Sequence, residues 1–140
     1  MSARYFLDTN IFAYAAHPAR SSKTAVALKL IEGGLESGNG IVSYQVVQEF
    51  FNLAFRKFPK PMSAFDAEEF LDTALRPLLA VHSSPALYVS ALQIYRHHHF
   101  SWYDSLIVAA AQQAECSILY TEDMQHGRRI DDLTIENPFL

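Results

Sequence analysis

The feature that most limits the fold of this chain is a repeated alternation between very short apolar runs and stretches of helical length. The runs are Tyr5 to Leu7, Ile41 to Val42, Leu78 to Val81 and Ile118 to Tyr120, each too short to be a helix. Between them, residues 23–37 repeat apolar side chains at Ala27, Leu28, Ile31 and Leu35, and the region of Gly33, Gly34, Gly38 and Gly40 is expected to end that helix. Further helical patterns cover residues 44–58 behind Ser43, then 64–75, 85–98, and 103–115 behind the N-cap Ser101. Residues 133–135 add an edge strand. Strands that alternate with helices in this way predict an α/β fold, with helices on both faces of a mostly parallel sheet.

Composition sets further bounds. A chain of 140 residues with 50% hydrophobic content fits one domain over residues 1–140, and its 5 Gly and 6 Pro leave little room for linkers. The single Cys116 excludes a disulfide framework and a thiolate zinc site, and it suits the reducing cytoplasm. No apolar run reaches the ~18 residues of a membrane span, and MSARYFLDTN lacks a signal-like apolar core, so a soluble protein without a membrane partner is expected. The net charge of -4 argues against coating nucleic acid by bulk electrostatics. A polyanionic substrate would have to be held locally, by a metal site helped by cations drawn from Arg20, Lys23, Arg56, Lys57, Lys60, Arg96, Arg128 and Arg129, each of which also reads as ordinary solvated surface.

Four stretches set an acid at the end of an apolar run or at a helix start: Asp8 in FLDTN, Glu49 in SYQVVQEFF, Asp104 in SWYDSLIVAAA, and the pair Glu122 and Asp123 in LYTEDMQHG. Carboxylates are costly to desolvate, so several of them at the borders of core-like segments call for a shared cation. In parallel sheets, ligands bind beyond the carboxyl ends of the strands. Asp8 follows the first strand and Asp123 the strand ending at Tyr120, so both belong to one rim. Glu49 borders the buried face of its helix, between Val46 and Leu53, with Gln45 and Asn52 on the other flank. Asp104 starts from the core-facing side of a helix whose Ala109, Ala110 and Ala111 permit close packing on the sheet.

Each acid also has an ordinary reading. Asp8 suits a turn or N-cap, Asp104 a helix-dipole partner, Asp123 a loop acid, and Glu49 a solvated helix residue. Together those readings require four separate coincidences, and a converging cluster requires one. An all-carboxylate site suits Mg²⁺ or Mn²⁺ rather than zinc.

The same residues carry a family resemblance. FLDTNIFAYA, SYQVVQEFFNLAFRK, SWYDSLIVAAAQQAECSILYTEDMQHGRRI and the closing LTIENPF span nearly the whole chain in order, and together they resemble PIN-domain proteins of the VapC type, the ribonuclease toxins of toxin–antitoxin pairs. The resemblance implies a three-layer α/β/α sandwich and an acidic pocket that holds Mg²⁺ or Mn²⁺ and hydrolyses RNA phosphodiesters. It carries metal-site and catalytic roles onto Asp8, Glu49, Asp104 and Asp123. Asp8 and Asp104 are the preferred direct ligands, while Glu49 and Asp123 stay open between direct ligation, ligation through water, and acceptance of a water proton. The resemblance also implies a VapB-like antitoxin partner, bound at the Phe-rich region from Phe50 to Phe70, and homodimerisation.

Asn10, Thr121 and, with less weight, Glu122 are candidates to orient the carboxylates. Asn10 also reads as an N-cap ahead of IFAYA. The run His97, His98, His99 points in diverging directions on a helix and reads as surface, and His126 beside Gly127 reads equally as a phosphate contact or a loop residue. Two other functions compete. A haloacid dehalogenase-like phosphatase shares the strand-then-Asp start but uses a second Asp where this chain has Asn10, and a non-catalytic PIN-like binding module would be expected to lack one or more of the acids.

Overall fold

The structure, a computed structural model, describes residues 3–140. Six strands form one sheet: β1 (Tyr5–Leu7), β2 (Gly40–Ser43), β3 (Leu79–Val81), β4 (Ile118–Tyr120), β5 (Arg129–Ile130) and β6 (Leu133–Glu136), in the order β3-β2-β1-β4-β6-β5. All neighbours run parallel except β5 and β6, so the carboxyl ends of five strands share one rim. The helices are α1 (Thr9–Ala16), α2 (Ser22–Ser37), α3 (Tyr44–Arg56), α4 (Ala64–Phe70), α5 (Pro85–His98) and α6 (Trp102–Gln113). Strand order reverses between β1 and β4, where the main-chain N–H of Asp8 donates to the Tyr120 carbonyl at 3.1 Å.

The predicted alternation is present; α2 closes at the glycine-rich region as expected, and the corrections concern residues 64–75 and 133–135. Helix α2 runs through Gly33 and Gly34 and stops at Gly38, which takes φ +76° as its left-handed cap. Gly34 is there for contact rather than termination: a Cβ on it would lie 3.0 Å from the Gly40 Cα, so α2 rests directly on the start of β2. The expected helix over 64–75 is α4 followed by a π-helical turn, Leu71–Leu75, and a short 3₁₀ turn. The segment at 133–135 is interior, because the two-residue β5 pairs outside it as the antiparallel edge.

Every residue of α6 from Ser105 to Ala111 is buried, and the three alanines bring it against β2, β4 and α5. Phe6, Leu7, Ile11, Phe12 and Phe50 fill the core beside it without measurable exposure. The Phe-rich region divides. Phe50 stacks on Phe70 at 4.7 Å and Phe58 is buried, whereas Phe55 and Phe65 face solvent. No helix among the described residues is long and apolar enough to cross a membrane.

Candidate metal and nuclease site

Asp8 is both the last residue before α1 and its N-cap; the N-terminal boundary therefore lies two residues ahead of Asn10, which sits inside the first turn. Asp8 Oδ1 accepts the Thr9 N–H at 2.7 Å, and Oδ2 accepts the Thr121 hydroxyl at 2.8 Å. The residue is only 5% exposed. Burial pushes its carboxyl up to about 7; the hydrogen bonds from Thr121 and Thr9 oppose this, and the charges of Glu49 and Asp123 add to it.

Glu49 is positioned from two sides. Thr9 donates its hydroxyl to Oε1 at 2.8 Å, and Gln45, one helical turn earlier, donates to Oε2 at 3.3 Å and also to the Tyr103 carbonyl at 3.3 Å. That last bond ties α3 to the start of α6, where Asp104 sits. Burial raises the Asp104 carboxyl, Ser101 lowers it, and Asp123 and Glu49 raise it further. The charges of Glu49 and Asp123 therefore raise both the Asp8 and the Asp104 carboxyl.

The turn after β4 is organised by Thr121 and Asn10. Thr121 Oγ1 accepts the Asp123 N–H at 3.1 Å and the Asn10 amide at 3.3 Å, and Asn10 Nδ2 also donates to Asp123 Oδ2 at 3.1 Å. Asn10 Oδ1 in turn accepts the Glu122 N–H at 3.2 Å. The Glu122 side chain points elsewhere: it pairs with Lys23 and accepts the Tyr14 hydroxyl at 2.6 Å. Any orienting by Glu122 runs through its main chain, while its carboxylate ties the turn to α1 and α2.

The residues match the PIN domain family over residues 5–132. The chain belongs to the PIN domain family. By fold, this PIN domain is similar to FitAcB from Neisseria gonorrhoeae (TM-score 0.64, 19% identity, 96% of this chain and 98% of that one). It is also similar to VapC20 of Mycobacterium tuberculosis, a sarcin-ricin loop cleaving toxin (TM-score 0.61, 19% identity, 85% and 89%). A toxin–antitoxin complex from Klebsiella pneumoniae aligns as well (TM-score 0.66, 18% identity, 98% of each chain). No curated protein matches the sequence significantly.

Within this PIN domain the donor set fits a hard divalent cation in chemistry and charge. All four acids offer oxygen, and among the described residues no ion pair engages Asp8, Glu49, Asp104 or Asp123. Each Asp8 oxygen accepts one of the bonds described above and keeps further acceptor capacity. As placed, no three His, Cys, Asp or Glu side chains among the described residues stand close enough to share one ion.

Sequence reasoning overlooked Thr9 as the donor to Glu49 and gave Gln45 no role. The signals were present: Thr9 adjoins Asp8, and Gln45 precedes Glu49 by four residues. The histidines stand apart from the acids' hydrogen bonds. His126 accepts the Asn137 N–H at 2.9 Å as a loop fastener, and the carbonyl of His98 accepts Arg128.

Proposed function

We propose that this chain is a Mg²⁺- or Mn²⁺-dependent endoribonuclease and the toxin of a toxin–antitoxin pair. The observation that carries the reading is Asp8: a buried carboxylate at the strand switch point, with no cationic partner among the described residues and with Glu49 and Asp123 raising its proton affinity. The likeness of the fold to VapC20 and to the Klebsiella complex supports it. The first is a toxin that cleaves the sarcin-ricin loop, and the second is a toxin–antitoxin complex.

A bound cation would polarise the scissile phosphate and lower the pKa of a water molecule. Asp8 and Asp104 would hold it, with Glu49 and Asp123 as further ligands or as acceptors of the water's proton. The chain's own contribution is to keep these acids in place: Thr121 fixes Asp8, Thr9 and Gln45 fix Glu49, and Asn10 fixes Asp123. No protein nucleophile is required.

The antitoxin, a VapB-like protein, would cover the shallow groove of about 300 Å³ formed by Phe51, Phe55, Ala64, Ala67 and Leu71. A homodimer in the cytoplasm completes the proposal. The test is cleavage of total cellular RNA in Mn²⁺ by purified, antitoxin-free protein. Wild type cutting while Asp8→Asn and Asp104→Asn are inert supports the reading, and equal inertness of all three without Mn²⁺ binding overturns it.

A further inference from the structure

Gln45 lies in the first turn of α3 and is only 5% exposed, a rare place for a side-chain amide. A glutamine one helical turn ahead of a glutamate is ordinarily a solvated pair on a helix surface, and such a pair needs neither burial nor a third partner. Gln45 has both. Its Nε2 donates to Glu49 Oε2 at 3.3 Å and to the main-chain carbonyl of Tyr103 at 3.3 Å.

The two N–H groups of one amide therefore join two elements that each carry an acid. Tyr103 immediately precedes Asp104 in the first turn of α6. That turn is itself fixed by Ser101, whose hydroxyl accepts the Asp104 N–H at 3.1 Å and whose carbonyl accepts the Ser105 hydroxyl at 2.8 Å. A bond to the Tyr103 carbonyl consequently sets Gln45, and with it Glu49, relative to Asp104. The other Glu49 oxygen is held from α1 by Thr9. The type of donor matters as well. An amide is neutral, so it orients Glu49 without cancelling its charge, where a Lys or Arg in the same place would compete with a bound cation.

Rigidity of this kind discriminates between hard cations. Mg²⁺ demands near-ideal octahedral geometry, whereas Ca²⁺ accepts more ligands in flexible arrangements. We propose that Gln45 is a positioning residue that locks the Glu49 carboxylate to the helix start bearing Asp104, and that this lock sets the affinity of the acidic site for Mg²⁺ relative to Ca²⁺. The inference rests on the metal site of the proposed function and not on RNA as the substrate.

The test is isothermal titration calorimetry of Mg²⁺ and of Ca²⁺ into wild type and Gln45→Met, a change that keeps the length of the side chain and removes both donors. The variant is expected to lose about tenfold in Mg²⁺ affinity. Its Ca²⁺ affinity should fall by about threefold or less, because Ca²⁺ tolerates a looser ligand set. A second measurement needs wild type alone and stands even where the variant does not fold. The side-chain amide resonances of Gln45 in isotope-labelled protein should shift as Mg²⁺ is added, with the midpoint that calorimetry gives. Equal losses for the two ions, a Mg²⁺ affinity within about twofold of wild type, or amide resonances that stay in place would each overturn the proposal. Wild type that binds no Mg²⁺ would do the same. Mn²⁺-dependent RNA cleavage by wild type and Asp8→Asn judges the nuclease reading separately. Cleavage that depends on Asp8, together with ion affinities indifferent to Gln45, sinks the positioning role alone. Inert wild type whose Mg²⁺ affinity depends on Gln45 sinks the nuclease reading alone.

Discussion

Thr121 and Asp8, 113 residues apart in sequence, are joined by a buried hydroxyl-to-carboxylate hydrogen bond of 2.8 Å, and the same Thr121 oxygen accepts the Asp123 N–H at 3.1 Å. One side chain therefore sets the relation between the acid after β1 and the acid after β4. Thr121 is itself fully buried.

Thr121→Val keeps the shape and removes the hydroxyl. Asp8 then loses a donor that stabilises its charged form, so its carboxyl rises further and its cation affinity falls. The expected loss in Mn²⁺ affinity is about 10- to 100-fold, and Thr121→Ser should restore most of it. Isothermal titration calorimetry checks both. Equal weakening by Ser and Val would mean that packing of the methyl group, not the hydroxyl, sets the site.

Asp8 also gives a pH dependence whose sign can be worked out. Its folded pKa of about 7 lies above the ordinary carboxylate value of 3.8, so the folded state binds the proton more tightly than the unfolded chain. In this window the unfolded state carries fewer protons, and stability falls as pH rises from about 4 to about 7. At about 1.4 kcal/mol per pKa unit the contribution is at most roughly 4 kcal/mol. Thermal melts of the metal-free protein should show Asp8→Asn more stable than wild type at pH 8 and little different at pH 4. Added Mn²⁺ should raise the wild-type melting temperature more at pH 8 than at pH 5, since the cation needs the ionised carboxylate.

Glu122 and Asp123 are adjacent but do different work. Glu122 is occupied by Lys23 and Tyr14, whereas Asp123 is held by Asn10 beside Asp8. Asp123→Asn should cut Mn²⁺-dependent RNA cleavage by about 100-fold or more, as expected for loss of a charge at the cation. Glu122→Gln keeps the Tyr14 hydrogen bond and loses only a half-exposed ion pair, so a loss of about threefold is expected. Steady-state cleavage rates that fall equally in the two variants would place Glu122 in the metal site.

Much of this arrangement was legible before any coordinates, because the period-2 and period-3.6 patterns and the strand-end rule are local. Asp8 after β1 and Asp123 after β4 follow from them directly. What was not legible depends on partners distant in sequence. The Thr9 hydroxyl reaches a glutamate 40 residues away, and the Glu122 carboxylate turns toward a lysine 99 residues earlier. The two-residue β5 is too short to carry a periodic signal, and its pairing displaced residues 133–135 from the edge. Gly38 ends α2 as a local glycine signal predicts, whereas Gly34, inside the helix, answers to a strand start six residues later, which no local pattern reveals.

That reading of the glycines leads to a paired prediction. At Gly34 a Cβ would meet the Gly40 Cα at 3.0 Å and the Tyr5 hydroxyl at 3.2 Å, and a backbone atom cannot rotate away. Gly34→Ala must therefore push α2 off β2, and overpacking of this kind costs about 1–3 kcal/mol. At Gly33 the nearest atom is the Tyr5 hydroxyl at 3.4 Å, an ordinary contact. Gly33→Ala lies in the interior of α2 and should stabilise by up to about 1 kcal/mol through helix propensity. Urea unfolding midpoints of the two variants should move in opposite directions, and a midpoint unchanged in Gly34→Ala would mean that the contact between helix and strand yields at little cost.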